Sequence, residues 1–182
     1  MRVVAGTARG TVLKTPDGME TRPTTDRVKE SLFNILQFDI PCSKVLDLFG
    51  GTGQLGIEAL SRGAKHATFV DHSSNACRII RENLSRTHFA EKANVTQSEY
   101  NRFLEQTREK FDIIFLDPPY AEVFLENSIK IITEIDILQS GGIIATERPF
   151  GKDLSLTFPG YSRSKDYKYG NTVLTFYHKE HV

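Results

Sequence analysis

Between residues 45 and 146, five short apolar runs alternate with four amphipathic stretches. Nothing else in the chain narrows the possible folds as much. The runs 45–49, 67–70, 94–97, 111–116 and 142–146 have the length of strands. Run 111–116, Phe-Asp-Ile-Ile-Phe-Leu, is almost continuously apolar, as a strand covered on both faces must be. The stretches 54–61, 74–86, 100–110 and 122–136 carry helical spacing, with Ala76, Ile79, Ile80 and Leu84 on one face. Strand and helix alternating in this way predict βαβ units in a doubly wound, mostly parallel α/β sheet. The end of the chain departs from the pattern. Residues 161–169 and 172–177 are strand candidates joined by Gly170-Asn171, a hairpin signal, so an antiparallel pair should close the sheet.

The first residues read differently. Arg2-Val3-Val4 and Thr11-Val12-Leu13 are short strand candidates around Gly6 and Gly10, which predicts a small N-terminal β-hairpin. Pro23-Thr24-Thr25-Asp26 looks like a helix start, with a Thr cap and an acid in the first turn. Val28, Leu32, Ile35 and Leu36 then follow at helical spacing, and Ile40-Pro41 should end that helix. Residues 1–40 are therefore expected to form a hairpin-plus-helix extension and residues 41–182 the main domain. No apolar run reaches the ~18–20 residues that span a bilayer. The start has no signal-peptide core, and Cys42 and Cys77 match no zinc or redox spacing. A reduced, cytoplasmic protein with neither metal nor membrane partner is the expectation.

Strand 45–49 runs into Asp47-Leu48-Phe49-Gly50-Gly51-Thr52-Gly53-Gln54-Leu55-Gly56. Gly51-x-Gly53-x-x-Gly56 matches the nucleotide-binding fingerprint, in which missing Cβ atoms let the backbone turn sharply against a cofactor. Asp71 stands 20 residues after Gly51, at the end of the next strand, where a carboxylate accepts from ribose hydroxyls. Asp47, inside the strand end, is poorly placed for a pyrophosphate and well placed for an amino or sulfonium group. That favours S-adenosylmethionine over NAD. A bland reading has Asp47 bonding only to the loop backbone.

Run 111–116 ends in Asp117-Pro118-Pro119-Tyr120. Ligands of open α/β sheets bind beyond the C-terminal strand ends, so this segment should face the same crevice as the glycine loop. Two prolines remove two backbone donors. The Asp117 carboxylate and the Pro118 carbonyl remain as acceptors, which suits a planar amine with two hydrogens to give. Tyr120 can stack on a flat ring. This is what N-methylation of a nucleobase requires. Acceptors on both hydrogens favour a more tetrahedral nitrogen and stabilise its developing positive charge. The alternative is a Pro-Pro turn that merely stops a strand.

Together these motifs resemble the class I S-adenosylmethionine-dependent amino-methyltransferases. The likeness extends over nearly the whole chain. Arg9-Gly10, Thr21-Arg22-Pro23-Thr24-Thr25-Asp26-Arg27, Asp47-Leu48-Phe49, Gly56-Ile57-Glu58-Ala59-Leu60 and Asp117-Pro118-Pro119-Tyr120 are similar to the bacterial 16S ribosomal RNA guanine-N2 methyltransferase family. That resemblance implies a seven-stranded Rossmann-like methyltransferase sheet, S-adenosylmethionine as cofactor, and one guanine of 16S rRNA in the small subunit as substrate. It implies cofactor contacts from Asp47, Phe49, Gly51, Gly53 and Asp71, the last at a position where the family often has Glu. The adenine-amino position falls at Glu99, where the family has a shorter Asp or Asn; an exposed helix-start Glu reads almost as well. The catalytic segment is Asp117, Pro118, Pro119 and Tyr120.

The chain holds 23 basic and 23 acidic residues, but unevenly placed. Residues 1–36 net +2, residues 37–147 net −5 and residues 148–182 net +3. The basic ends supply candidate RNA contacts: Arg9, Arg22 and Arg27, then Arg163 and Lys165. On one continuous strand, Tyr161, Arg163, Lys165, Tyr167 and Tyr169 would share a face that suits single-stranded RNA. A solvated edge strand is an equally good reading. Among other functions, an N6-adenine methyltransferase shares the Asp-Pro-Pro-Tyr segment but needs room for a DNA-recognition domain. An NAD oxidoreductase lacks its catalytic His or spaced Tyr-Lys pair. A non-catalytic RNA-binding module would not need Asp117 or the glycine loop.

Overall fold

The computed structural model describes residues 1–16, 26–119, 121–154 and 156–181. Five strands alternate with helices as the periodicity requires. They are β1 (Lys44–Asp47), β2 (His66–Asp71), β3 (Ala93–Gln97), β4 (Phe111–Leu116) and β5 (Leu138–Pro149). Helix α1 (Asp26–Ile35) precedes them, and α2 (Gln54–Ser61), α3 (Ser74–Arg86), α4 (Tyr100–Gln106) and α5 (Ala121–Ile135) connect them. The chain ends in β6 (Tyr161–Arg163), β7 (Tyr167–Tyr169) and β8 (Thr172–Lys179). The sheet order is β3-β2-β1-β4-β5-β8-β6, with β7 also on β8. Strands β1 to β5 run parallel, and β8 is antiparallel to β5, β6 and β7.

Alternation along each strand sorts side chains into two apolar layers. Val45, Ile113, Phe115, Ile143 and Ala145 face Val28, Leu32, Phe33 and Ile57 of α1 and α2. Leu46, Ile114, Leu116 and Ile144 face Leu104 of α4 and Leu125, Ile129 and Ile132 of α5. Helices on both faces explain why these strands are apolar throughout. Strand order reverses between β1 and β4, which opens a crevice at their C-terminal ends. Among the described residues no helix is long and apolar enough to cross a membrane.

Several local expectations change. The N-terminal segment makes no named strand: Arg2 and Val12 form one isolated antiparallel bridge, flanked by bonds from Val3 N–H to Thr11 O at 3.0 Å and from Leu13 N–H to Met1 O at 3.1 Å. Three further donors go to α2: Val4 and Ala5 N–H donate to the Glu58 carboxylate at 2.8 and 3.0 Å, and Ala8 N–H to Ser61 Oγ at 2.9 Å. The segment is thus a short paired arm fastened to α2, and the bonds to Glu58 and Ser61 keep the ladder from extending. Helix α1 closes at Ile35 rather than Ile40, because an i→i+3 bond from Asp39 N–H to Leu36 O tightens the chain into a turn. Its predicted Thr cap lies outside the described residues. Strand β1 stops at Asp47, where the glycine turn begins, and β5 runs past both predicted ends because Leu138 pairs with Phe111 of β4 at its start and β8 pairs with it as far as Pro149.

Seven strands were expected, and among the described residues the sheet has eight. The predicted strand 161–169 is broken into β6 and β7, both hydrogen-bonded to β8. Residues 164–166 between them reset the alternation. Tyr161 packs with Tyr177 in the α5 layer, whereas Tyr167 and Tyr169 pack in the α1 layer. Five side chains on one face is therefore not what forms. The Gly170-Asn171 hairpin does form, with Tyr169 opposite Thr172.

Glu58 anchors the arm from a fully buried position. Besides Val4 and Ala5 it accepts from Arg62 Nε at 2.9 Å and lies 3.7 Å from Lys29 Nζ. Burial holds the Lys29 ammonium below its usual pKa, opposed by the attraction of Glu58. Glu58→Ala strands a buried cation and two N–H groups. It should lower unfolding free energy by about 3–5 kcal/mol, measured by urea denaturation.

Candidate functional site

The crevice gathers residues from three loops. Gly53, with φ 80°, adopts the left-handed conformation that opens α2. A Cβ at Gly56 would meet the Phe69 ring at 2.3 Å, so this third glycine lets α2 lie close on β2. Asp47 is 2% exposed and accepts from Gly56 N–H at 3.1 Å. Asp71 Oδ2 accepts from Gly51 N–H at 2.9 Å, and Oδ1 from Ser73 N–H at 2.9 Å. These bonds fasten the glycine loop to the end of β2 and start α3. A carboxylate has about four lone-pair sites, so Asp71 keeps acceptors for a vicinal diol.

Asp47, Asp117 and Asp71 interact electrically. Burial pushes the Asp47 carboxyl up to about 8; the charges of Asp117 and Asp71 add to this, and the Gly56 hydrogen bond opposes it. Burial also raises Asp117, to about 6. Two adjacent carboxyls that resist ionisation make a site that gains from a cation. The donor set thus fits S-adenosylmethionine, whose amino and sulfonium groups are positive. A pyrophosphate would meet repulsion from Asp47.

Phe49 leaves β1 and meets two rings that motif reading missed. Its centroid is 5.4 Å from Tyr100 and 6.1 Å from Phe124, and those two rings are 5.4 Å apart. The cluster joins the glycine loop to the first turns of α4 and α5. The available signal was an aromatic in the first turn of each helix after a C-terminal strand end. Glu99 stands exposed at the N-cap of α4, where its side chain caps no N–H. Ser98 N–H donates to Asp71 O at 3.0 Å, which holds this loop beside Asp71.

Asp117 and Pro118 follow β4 directly, in the crevice with Asp47. Pro118 is buried and Pro119 exposed. Tyr120 and Arg22 lie outside the described residues. Arg9 and Arg27 are exposed, as is Lys165, whose Nζ lies 5.3 Å from the Tyr167 ring centroid. Arg163 sits elsewhere in the bonding scheme. Its guanidinium donates to Leu154 O at 2.8 Å, Ser164 O at 2.9 Å and Asp166 Oδ1 at 2.8 Å. Arg148 and Thr175 also donate to Asp166, at 2.7 Å each. This network builds the β6–β7 break, a role that composition did not reveal.

Known proteins resemble this chain over most of its length. A protein-family profile described as "Conserved hypothetical protein 95" matches residues 1–178. The chain is 34% identical to Ribosomal RNA small subunit methyltransferase D of Escherichia coli K12, covering 99% of this chain and 90% of that protein. It is 38% identical to the protein of the same name in Haemophilus influenzae, over 85% of this chain and 81% of that one. A solved Thermus thermophilus hypothetical protein superposes with TM-score 0.81 at 30% identity, covering 100% and 99% of the two chains. An O-methyltransferase from Bacillus cereus, solved in complex with SAH, shares the fold alone, with TM-score 0.67 at 14% identity over 87% and 84%. The chain belongs to the class I S-adenosylmethionine-dependent methyltransferase family that includes the ribosomal RNA small subunit methyltransferase D proteins.

Proposed function

We propose that this protein methylates the exocyclic N2 amine of one guanine in 16S rRNA, on free RNA or on the small subunit, with S-adenosylmethionine as donor. The observation that carries the reading is the pair of strand ends on one crevice. Asp47 and the glycine loop close β1, and Asp117-Pro118 closes the neighbouring β4. When bound, the cofactor supplies a methyl group made electrophilic by its sulfonium. Asp71 would hold the ribose hydroxyls, Glu99 the adenine amine, and Asp47 the cationic end.

Asp117 and Pro118 act on the other reactant. Their oxygens take the two amine hydrogens and orient the nitrogen lone pair toward the glycine loop. As nitrogen takes the methyl group and its bond to sulfur breaks, positive charge would grow on nitrogen; the Asp117 carboxylate would stabilise it, and one amine proton would then leave through Asp117 or directly to water. Pro118 and Pro119 stiffen the turn that sets this geometry. Tyr120 would stack on the base. Arg9, Arg22, Arg27 and Lys165 would meet RNA phosphates, while Arg163 shapes the hairpin beneath them.

Incubation with labelled S-adenosylmethionine and small subunits lacking the modification tests the reading. The label should map to N2 of a single 16S guanine. Label on adenine N6, or on no rRNA nucleotide, overturns it.

A further inference from the structure

We propose that Glu147 is a specificity residue, whose carboxylate accepts the N1–H of the target guanine and so separates guanine from adenine. The proposal rests on the function proposed above and names what selects the base. Leu116 of β4 and Thr146 of β5 form the last paired rung between those strands. Asp117 and Glu147 each come one residue later. Phe115 and Ala145, two residues before them, both belong to the layer that packs on α1 and α2. Strand alternation therefore turns Glu147 to that same side, and Asp117, one residue past the end of β4, stands close enough for its charge to act on Asp47. Glu147 is also paired with Leu174 of β8, another member of that layer. Asp47 follows Val45 by two residues and shares the side.

The C-terminal edge thus presents Asp47, Asp117 and Glu147 on the adjacent strands β1, β4 and β5. Strands lie about 4.8 Å apart. Glu147 stands one strand beyond Asp117, on the side away from the glycine loop, where the body of the methyl acceptor must lie. It is half-buried. Its neighbour Arg148 turns to the opposite face and is engaged there by Asp166 at 2.7 Å, Thr175 Oγ1 at 2.8 Å and Lys152 O at 2.7 Å.

The two purines differ beside the reacting amine. Next to the N2 amine of guanine stands N1–H, a donor. Next to the N6 amine of adenine stands a bare N1, an acceptor. With Asp117 and Pro118 holding the amine hydrogens, a carboxylate one strand further bonds N1–H of guanine and opposes the N1 lone pair of adenine. Polar sites of this kind discriminate strongly, because the wrong base sets one acceptor against another.

The test compares the parent with Glu147→Gln on small subunits lacking the modification, and on subunits reconstituted with 2-aminopurine at the mapped position. That base keeps the N2 amine but has a bare N1. Glu147→Gln should lower kcat/KM on guanine about 30-fold or more. It should also shift the 2-aminopurine to guanine ratio upward at least ~10-fold, because an amide can donate to N1. Cofactor Kd, read by calorimetry, should not move, which a merely structural role would not predict. Glu147→Asp keeps the charge and should retain the guanine preference, which controls for folding. An E147Q variant with the parent's kcat/KM on guanine overturns the proposal alone. A parent that labels no guanine N2 overturns the functional reading beneath it.

Discussion

Asp117→Asn is expected to lower kcat for methyl transfer about 10²–10³-fold while cofactor Kd stays within a factor of about three. The asparagine fills the same volume but carries no charge to stabilise the nitrogen as it becomes cationic. The proposed cofactor contacts follow β1, β2 and β3, one strand or more away, so binding should survive. Single-turnover kinetics and calorimetry on the same preparation separate the two effects. Turnover at the parent's rate would sink the mechanism. A pH signature accompanies the loss. Burial raises the Asp117 carboxyl to about 6, so the acceptor is protonated and inactive below that value. The parent's kcat/KM should fall as pH drops through about 6, and the variant's residual activity should not show that step.

Asp47→Asn should weaken the cofactor about two orders of magnitude and, at the same time, stabilise the ligand-free protein at high pH. The sign follows from the folded state. An unfolded aspartate titrates near 3.8, whereas burial raises the folded Asp47 to about 8. Between those values the native state holds a proton that the unfolded state has lost. Stability from this group is therefore greatest below about 4, declines as pH rises, and is fully lost above about 8. The asparagine still accepts from Gly56 N–H and removes the charge. Thermal midpoints of parent and variant should diverge from pH 5 to pH 9, with the variant higher at pH 9. In the parent, cofactor affinity should also rise with pH up to about 8, because binding a cation requires the ionised carboxylate. Parallel melting curves across that range would show that Asp47 is not the strained group. The pairing of lost binding with gained stability is what a charge held for function produces.

Asp47 and Asp117 bear on each other, since the charge of Asp117 is one cause of the raised Asp47 value. In the Asp117→Asn variant Asp47 ionises more easily, so cofactor affinity at neutral pH should not fall. That distinguishes an electrostatic pair from a collapsed site.

The βαβ portion was legible because its signals are local. A buried parallel strand has to be apolar on both faces, and 111–116 is; it became β4 within the same limits. Helix α3 was readable to the residue, since Ser73 caps it and its apolar face repeats at helical spacing. Asp47, Asp71 and the glycine loop were identifiable because strand, turn and helix succeed one another without long-range help. The arm was harder. Its residues pair only around one bridge, because Glu58 and Ser61, more than 50 positions away, take the N–H groups of Val4, Ala5 and Ala8. No local pattern signals a partner at that distance.

Period-two alternation, the Asp47 loop and the Asp117 turn are properties of neighbouring residues, and so the amino-acid sequence alone determined the sheet, its crevice and the chemistry of its edge. Which side chains meet across strands is settled only when the strands take their order. Three residues, 164–166, moved the tyrosines of β6 and β7 into opposite layers and committed Arg163 to Asp166. The same ordering put Glu147 one strand beyond Asp117, although 30 positions separate them in the chain. Register is a long-range quantity, fixed by burial on both faces of the sheet, and it decided which carboxylates stand side by side at that edge.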